Sequence, residues 1–98
     1  MPLHEVFVSK GPKQGTVLSL VPEKPITVGR APANDLCLAD PAVSSYHARI
    51  ELRASQVVLT DLKSKNGTFV NGTQLQGSTP LKPGDAVEMG STTWAVRV

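Results

Sequence analysis

The stretch Val43-Ser44-Ser45-Tyr46-His47 sets two adjacent hydroxyls and an imidazole directly before an alternating segment, residues 47–53. Polar side chains crowded onto a connection either satisfy local backbone groups or face a ligand, because loops carry much of a fold's binding chemistry. Ser44 and His47 are the one local pair that a nucleophile and its base would need. Continued strand geometry puts residues three apart on opposite faces, however, and no motif places a carboxylate to orient the imidazole. Neither a GxxxxGK phosphate loop nor a dinucleotide fingerprint occurs. The chain is therefore expected not to be an enzyme.

Anion binding suits the remaining chemistry better. Arg30 closes the run Ile26-Thr27-Val28-Gly29-Arg30 and is followed at once by a loop containing Pro32. A guanidinium at a strand end offers a planar fork to two oxygens of one phosphate, which a lysine meets only as a point charge. Gly29 beside it implies close backbone approach or a positive φ. Between Arg30 and Ser44 lies only the short run Leu36-Cys37-Leu38, about 10 Å long at ~3.3 Å per residue, so the loops flanking it stay close. Ser44 and Ser45 then add hydroxyl and backbone N–H donors to an anion held by Arg30. His47, at the start of a half-buried strand, suits pinning the loop by bonding backbone.

A third loop, Ser64-Lys65-Asn66-Gly67-Thr68, follows the run 57–62. Asn-Gly is first a turn signal, but a carboxamide also carries the donor and acceptor needed to grip the main chain of an extended peptide. Lys65 adds charge next to it. Each of these residues has a plainer reading alone: a solvated arginine, serines that cap a turn, an asparagine that fits one. Asn66-Gly67-Thr68 and Asn71-Gly72-Thr73 also match the glycosylation sequon, which carries no weight without a secretion signal.

The elements that must position these residues are short strands. Apolar or alternating runs occur at residues 5–9, 16–21, 26–30, 36–38, 47–53, 57–62, 68–70, 74–75, 86–89 and 92–98, and no window holds a helical period. Turn chemistry separates them: Gly11-Pro12, Pro22 with Pro25, residues 32–35, Asn66-Gly67, Asn71-Gly72 and Pro83-Gly84-Asp85. Such spacing predicts an all-β sandwich or barrel. In the run 47–53, Ala48, Ile50 and Leu52 share one face and Arg49, Glu51 and Arg53 the other. Trp94 falls on the apolar side of the last strand and is expected inside the sandwich or at its edge, without a binding role.

Composition removes other classes. The 98 residues are read as one domain, 1–98, burying roughly 60–70% of the unfolded surface. One cysteine, Cys37, allows no internal disulfide, and two distant histidines give no zinc spacing, so neither metal nor cofactor is expected. No signal peptide and no run of 18 apolar residues is present, which points to a soluble intracellular protein, cytoplasmic or nuclear, with no membrane insertion. Ten Lys or Arg against eight acids give a formal charge of +2, too mild and dispersed for nucleic acid. Aromatics make up 4% of the chain and none is interleaved with basic residues, so a base-stacking platform is not expected either.

Taken in order, Gly29-Arg30, Ser44-x-x-His47, Asp61-Leu62-x-Ser64-x-Asn66-Gly67-Thr68-x-Val70 and Asn71-Gly72 resemble the forkhead-associated (FHA) domain over essentially the whole chain. The resemblance implies an eleven-stranded β-sandwich of two largely antiparallel sheets, of the SMAD/FHA kind, whose loops at one end bind phosphothreonine peptides. It implies a phosphothreonine-containing partner and an upstream Ser/Thr kinase. Arg30 and Ser44 match the family's phosphate ligands, with Ser45 beside them, and Asn66 matches the asparagine that bonds the peptide backbone. Gly29 and His47 match positions that shape and brace the loops, and Gly67, Asn71 and Gly72 are placed in the same supporting role. Ser45 stands where many members carry Arg or Asn, and Lys65, a candidate ligand contact, where many carry Thr or Ser. The alternative is a phosphate-independent interaction module that uses a sheet face or edge.

Overall fold

Alternation assigns the faces and turn residues cut the chain into the lengths observed. The computed structural model describes residues 4–97. It contains β1 (His4–Lys10), β2 (Val17–Leu20), β3 (Ile26–Gly29), β4 (Leu36–Cys37), β5 (Ala48–Arg53), β6 (Gln56–Asp61), β7 (Phe69–Val70), β8 (Thr73–Gln74), β9 (Ser78–Leu81), β10 (Ala86–Met89) and β11 (Thr92–Arg97). One sheet runs β2-β1-β11-β10-β7-β8 and the other β4-β3-β5-β6-β9. All pairings are antiparallel except β3 with β4. This is the eleven-stranded sandwich implied by the resemblance. Among the described residues no helix is long and apolar enough to cross a membrane.

Ten of the expected runs fall on strands within a residue or two, and β9 is the addition. Its Ser-Thr-Pro-Leu sequence contains Pro80, which lacks an N–H and so reads as a breaker. Pro80 is opposite Val58, on the outer strand of the five-stranded sheet, where a strand has one side free of pairing. Val98, included in the expected last strand, lies outside the described residues.

The core lies between the sheets. Val6 and Val8 of β1, Trp94 and Val96 of β11 and Val87 and Met89 of β10 face Ile26, Val28, Ala48, Ile50, Val57 and Leu59 from the other sheet, all buried. Trp94 is fully enclosed, so of the two placements expected for it the interior holds. Each buried aliphatic or aromatic side chain contributes roughly 1.5–3 kcal/mol relative to exposure. Arg49, Glu51 and Arg53 alternate outward, with Glu51 bonded to both arginines. Because β3 and β6 both run toward the end where β5 begins, the loops after β3, before β5 and after β6 meet there.

Candidate functional site

β3 stops at Gly29, and Arg30 is the first residue of the loop beyond it. The loop is stitched to the β4–β5 connection by backbone bonds: Arg30 N–H donates to Ser44 O at 2.9 Å, Ala31 N–H to Ser45 O at 3.1 Å and His47 N–H to Val28 O at 2.8 Å. A Cβ on Gly29 would overlap the Ser45 carbonyl, with the Asn34 amide nitrogen 2.9 Å away. Close approach, and not a left-handed backbone, is therefore what position 29 requires. Arg30 is exposed, but its Nε donates to Val43 O at 3.0 Å. That bond fixes the plane of the guanidinium, and its terminal nitrogens have no protein partner among the described residues.

Ser44 and His47 are connected, but not as nucleophile and base. The Ser44 backbone N–H donates to His47 Nδ1 at 3.1 Å, while the Ser44 hydroxyl oxygen accepts from the Lys65 N–H at 2.9 Å. An accepting Nδ1 leaves the ring proton on Nε2, which lies 3.0 Å from Gly67 O and donates to it. His47 is fully buried, so these two bonds satisfy both ring nitrogens and tie the loop before β5 to the loop after β6. The Ser44 oxygen is occupied as an acceptor from Lys65, and its own O–H remains to donate to a ligand.

The loop after β6 is folded around Asp61. Its carboxylate accepts from the Ser64 hydroxyl at 2.5 Å, the Thr68 hydroxyl at 2.7 Å and the Ser64 N–H at 3.1 Å, and Ser64 Oγ accepts from the Gly67 N–H at 3.1 Å. Partial burial alone would raise the Asp61 pKa. The Ser64 and Thr68 donors outweigh it and hold the carboxyl below its ordinary value of 3.8. Gly67 adopts φ 90°, and a Cβ there would press on the Gln74 amide at 2.8 Å. Asn66 emerges exposed from this frame, its Nδ2 donating to Ala42 O at 2.9 Å. Asn71 and Gly72 lie elsewhere: with φ of 50° and 85° they close the β7–β8 hairpin. Asn71 bonds to Asp85 at 3.1 Å and to the Ala86 N–H at 3.0 Å, so their support reaches the site only through β7.

Arg30, Ser44, Ser45, Lys65 and Asn66 together line one open depression of about 240 Å³, completed by Pro41, Ala42 and Val43. Two of the five side chains are cationic and none is acidic. A larger depression, about 520 Å³, lies at the opposite end against residues 22–25 and 51–54. There Glu23 and Glu51 offset Lys24 and Arg53, so it offers an anion no net charge. Size and chemistry point to different places, and the chemistry favours the smaller one.

Sequence reasoning passed over several residues that build the site. Asn34, 7% exposed, donates from Nδ2 to Ala31 O and Ser45 O, both at 2.8 Å, and so braces the first two loops. Asp40 accepts from the Ala42 N–H at 2.9 Å and from Ser91. The N–H of Ser91, the N–H of Ala42 and the Ser91 hydroxyl hold its carboxyl below the usual range. Ser64 and Thr68 carried a signal, since each is a short hydroxyl near an aspartate of the same loop. Ala42 and Val43 act through carbonyls, which no side-chain pattern reveals.

Known proteins share this fold. The FHA domain profile matches residues 26–90. An FHA domain-containing protein of Arabidopsis thaliana is 38% identical over 94 residues, 93% of this chain and 24% of that protein. The FHA domain of the CT664 protein from Chlamydia trachomatis superposes with a TM-score of 0.93 at 27% identity, covering 99% of this chain and 98% of that one. The MEK1 FHA domain, solved in complex with a HOP1 phosphothreonine peptide, superposes with a TM-score of 0.81 at 25% identity, covering 97% and 95%. The chain spans between about a quarter and three fifths of the length of the curated relatives it matches. The profile match and the superposition agree, and the chain belongs to the FHA domain family.

Proposed function

We propose that this chain, read as a single domain over 1–98, is a phosphothreonine-dependent protein-interaction module, and that its partner is a protein phosphorylated by a Ser/Thr kinase. One observation carries the reading: residues from three separate loops converge on one depression with their ligand-facing groups uncommitted among the described residues. Arg30 keeps its terminal nitrogens and Ser44 its O–H, with Ser45 and Lys65 on the same wall. Asn66 keeps its Oδ1, which accepts a peptide N–H. A phosphothreonine brings about −1.5 to −2 charge and three acceptor oxygens, and each hydrogen bond to a charged group contributes about 1.5–3 kcal/mol.

Binding without chemistry suits this geometry. His47 Nδ1 takes the Ser44 N–H and not its hydroxyl, so the imidazole is placed as a brace and not as a base. Family likeness supports the same reading, since a related FHA domain was solved with a phosphothreonine peptide.

Calorimetry with peptides selected from an oriented phosphothreonine library, each paired with its unphosphorylated twin, tests the proposal. Binding is expected for the phosphorylated member alone. Equal affinity for both members sinks it, and an interaction that survives phosphatase and Arg30→Ala establishes the alternative, docking on a sheet face or edge.

A further inference from the structure

Asp40 opens the segment that carries Ser44, yet its carboxylate is spent on the other sheet. Oδ2 accepts from the Ser91 N–H at 2.8 Å and from the Ser91 hydroxyl at 2.9 Å, across 51 residues of sequence, while Oδ1 accepts from the Ala42 N–H at 2.9 Å. Ser91 comes directly after Gly90 in the turn between β10 and β11. Gly90 has φ 58°, and a Cβ there would overlap the Asp40 carboxylate and meet Val43 Cγ2 at 3.0 Å. The turn is thus cut to admit this carboxylate.

The contact matters because of the residues that Asp40 leads into. Val43 N–H bonds back to Asp40 O at 2.9 Å, so residues 40–43 form one tight turn. Two carbonyls of that turn orient the proposed ligand groups: Ala42 O holds the Asn66 carboxamide at 2.9 Å and Val43 O holds Arg30 Nε at 3.0 Å. Hydrogen bonds weaken steeply with angle, so a shift of the turn misaligns both at once.

Resting on the phosphothreonine-binding function already proposed, we infer that Asp40 is a positioning residue for phosphopeptide binding, which locks the carbonyls orienting Arg30 and Asn66 to the β10–β11 turn. The recognition site then depends on the β10–β11 turn, although none of its ligand-facing side chains comes from that turn.

The test measures affinity for one library-selected phosphothreonine peptide by calorimetry, well below the melting transition of each variant, alongside melting temperatures. Asp40→Ala is expected to weaken binding roughly tenfold while the chain stays folded, as expected when a supporting contact misplaces ligand groups. Asp40→Asn, which keeps one acceptor, and Ser91→Ala, which deletes one donor, are expected to weaken it about two- to threefold. In an Asn66→Ala background the Asp40→Ala effect should shrink by half or more, because residues that act through one another are not additive. A lowered melting temperature with affinity within twofold of wild type overturns the inference, as does full additivity with Asn66→Ala. Should Asp40→Ala fail to fold, unchanged affinity in Ser91→Ala overturns it alone. A wild-type chain that ignores phosphorylation removes the functional reading instead, and the inference with it.

Discussion

At the end of the sandwich that carries Arg30, Ser44 and Asn66, backbone groups of one loop are bonded by side chains of another. His47 reaches Gly67, Asn66 reaches Ala42, Asn34 reaches Ser45 and Asp40 reaches Ser91, over separations of 11 to 51 residues. At the opposite end turns close on themselves. Val21 bridges to Lys24, Ala54-Ser55 simply joins β5 to β6, and the turn at 82–85 is closed by Asp85 bonding to Lys82. The exceptions are Asn71, which reaches Asp85 and Ala86, and Gly84, whose backbone N–H reaches Val96 O at 3.1 Å. Local closure makes each turn an independent contribution, whereas the interlocked loops stand or fall together. A site that receives an anion already oriented loses little entropy on binding, which is what such interlocking provides.

His47→Ala should break this contrast most severely. It removes a fully buried ring and leaves the Ser44 N–H and the Gly67 carbonyl unpaired, at about 1–3 kcal/mol for each orphaned group. A loss of roughly 3 kcal/mol or more in urea unfolding is expected, together with weakened phosphopeptide binding. A loss below about 1 kcal/mol, the low end for one such group, would show that the loops are not interlocked. Arg30→Ala comes next and separates function from stability. Phosphopeptide affinity should fall at least tenfold, about 1.4 kcal/mol or more, with little change in unfolding, since the residue is exposed. Lys24→Ala, at the opposite end, should leave calorimetric affinity unchanged.

The same contrast explains what the sequence revealed. The ten expected strands were legible because burial on one face forces alternation, and β9 was not, because Pro80 is tolerated only where a strand edge is unpaired. Arg30, Ser44, Ser45, Lys65 and Asn66 were legible as a set through their order and through side chains whose chemistry serves an anion. Asn34 and Asp40 were not. Their partners are the Ser45 carbonyl and a turn 51 residues away, and a backbone partner leaves no mark on residue type. Gly29 announced a constraint without its nature, and the Ser45 carbonyl lying against it supplies that.

A smaller effect sharpens the comparison by titration. Asp61 has a lowered pKa, so its ionised form stabilises the folded loop. That contribution is complete above the unfolded value near 3.8 and is lost as pH falls through the lower folded value. Asp61→Asn, which does not titrate, should melt below wild type at neutral pH, and the gap should narrow as pH falls below the ordinary carboxylate value of 3.8. A gap that stays constant with pH would mean the carboxylate charge is idle there. Asp85 at the opposite end is also lowered, chiefly by the Lys82 N–H and then the Asn71 amide, so Asp85→Asn should give a gap of the same sign. The two differ in consequence: only the Asp61 variant should also weaken phosphopeptide binding, because its loop carries Lys65 and Asn66.

The mildest test lies in two hairpins that solve one geometric problem with different residues. Asn71-Gly72, between paired Val70 and Thr73, takes φ of 50° and 85°; Ala54-Ser55, between paired Arg53 and Gln56, takes 46° and 68°. Two-residue turns with both φ positive match the twist of the strands they join and favour Asn-Gly, since a Cβ in the left-handed region costs roughly 1–2 kcal/mol. Ala54-Ser55 carries that cost in full view of solvent with no side-chain bond to offset it among the described residues. Replacing it with Asn-Gly should therefore stabilise the chain by about 1 kcal/mol, or raise the melting temperature by about 4–8 °C for a domain of this size, and leave phosphopeptide affinity untouched. The reverse exchange, Asn71-Gly72 to Ala-Ser, should cost more than the backbone preference alone, because the Asn71 bonds to Asp85 and Ala86 go with it. If the two exchanges prove equal and opposite, the far end is closed by backbone preference alone, and the Asn71 bonds do not set that hairpin apart from its neighbour.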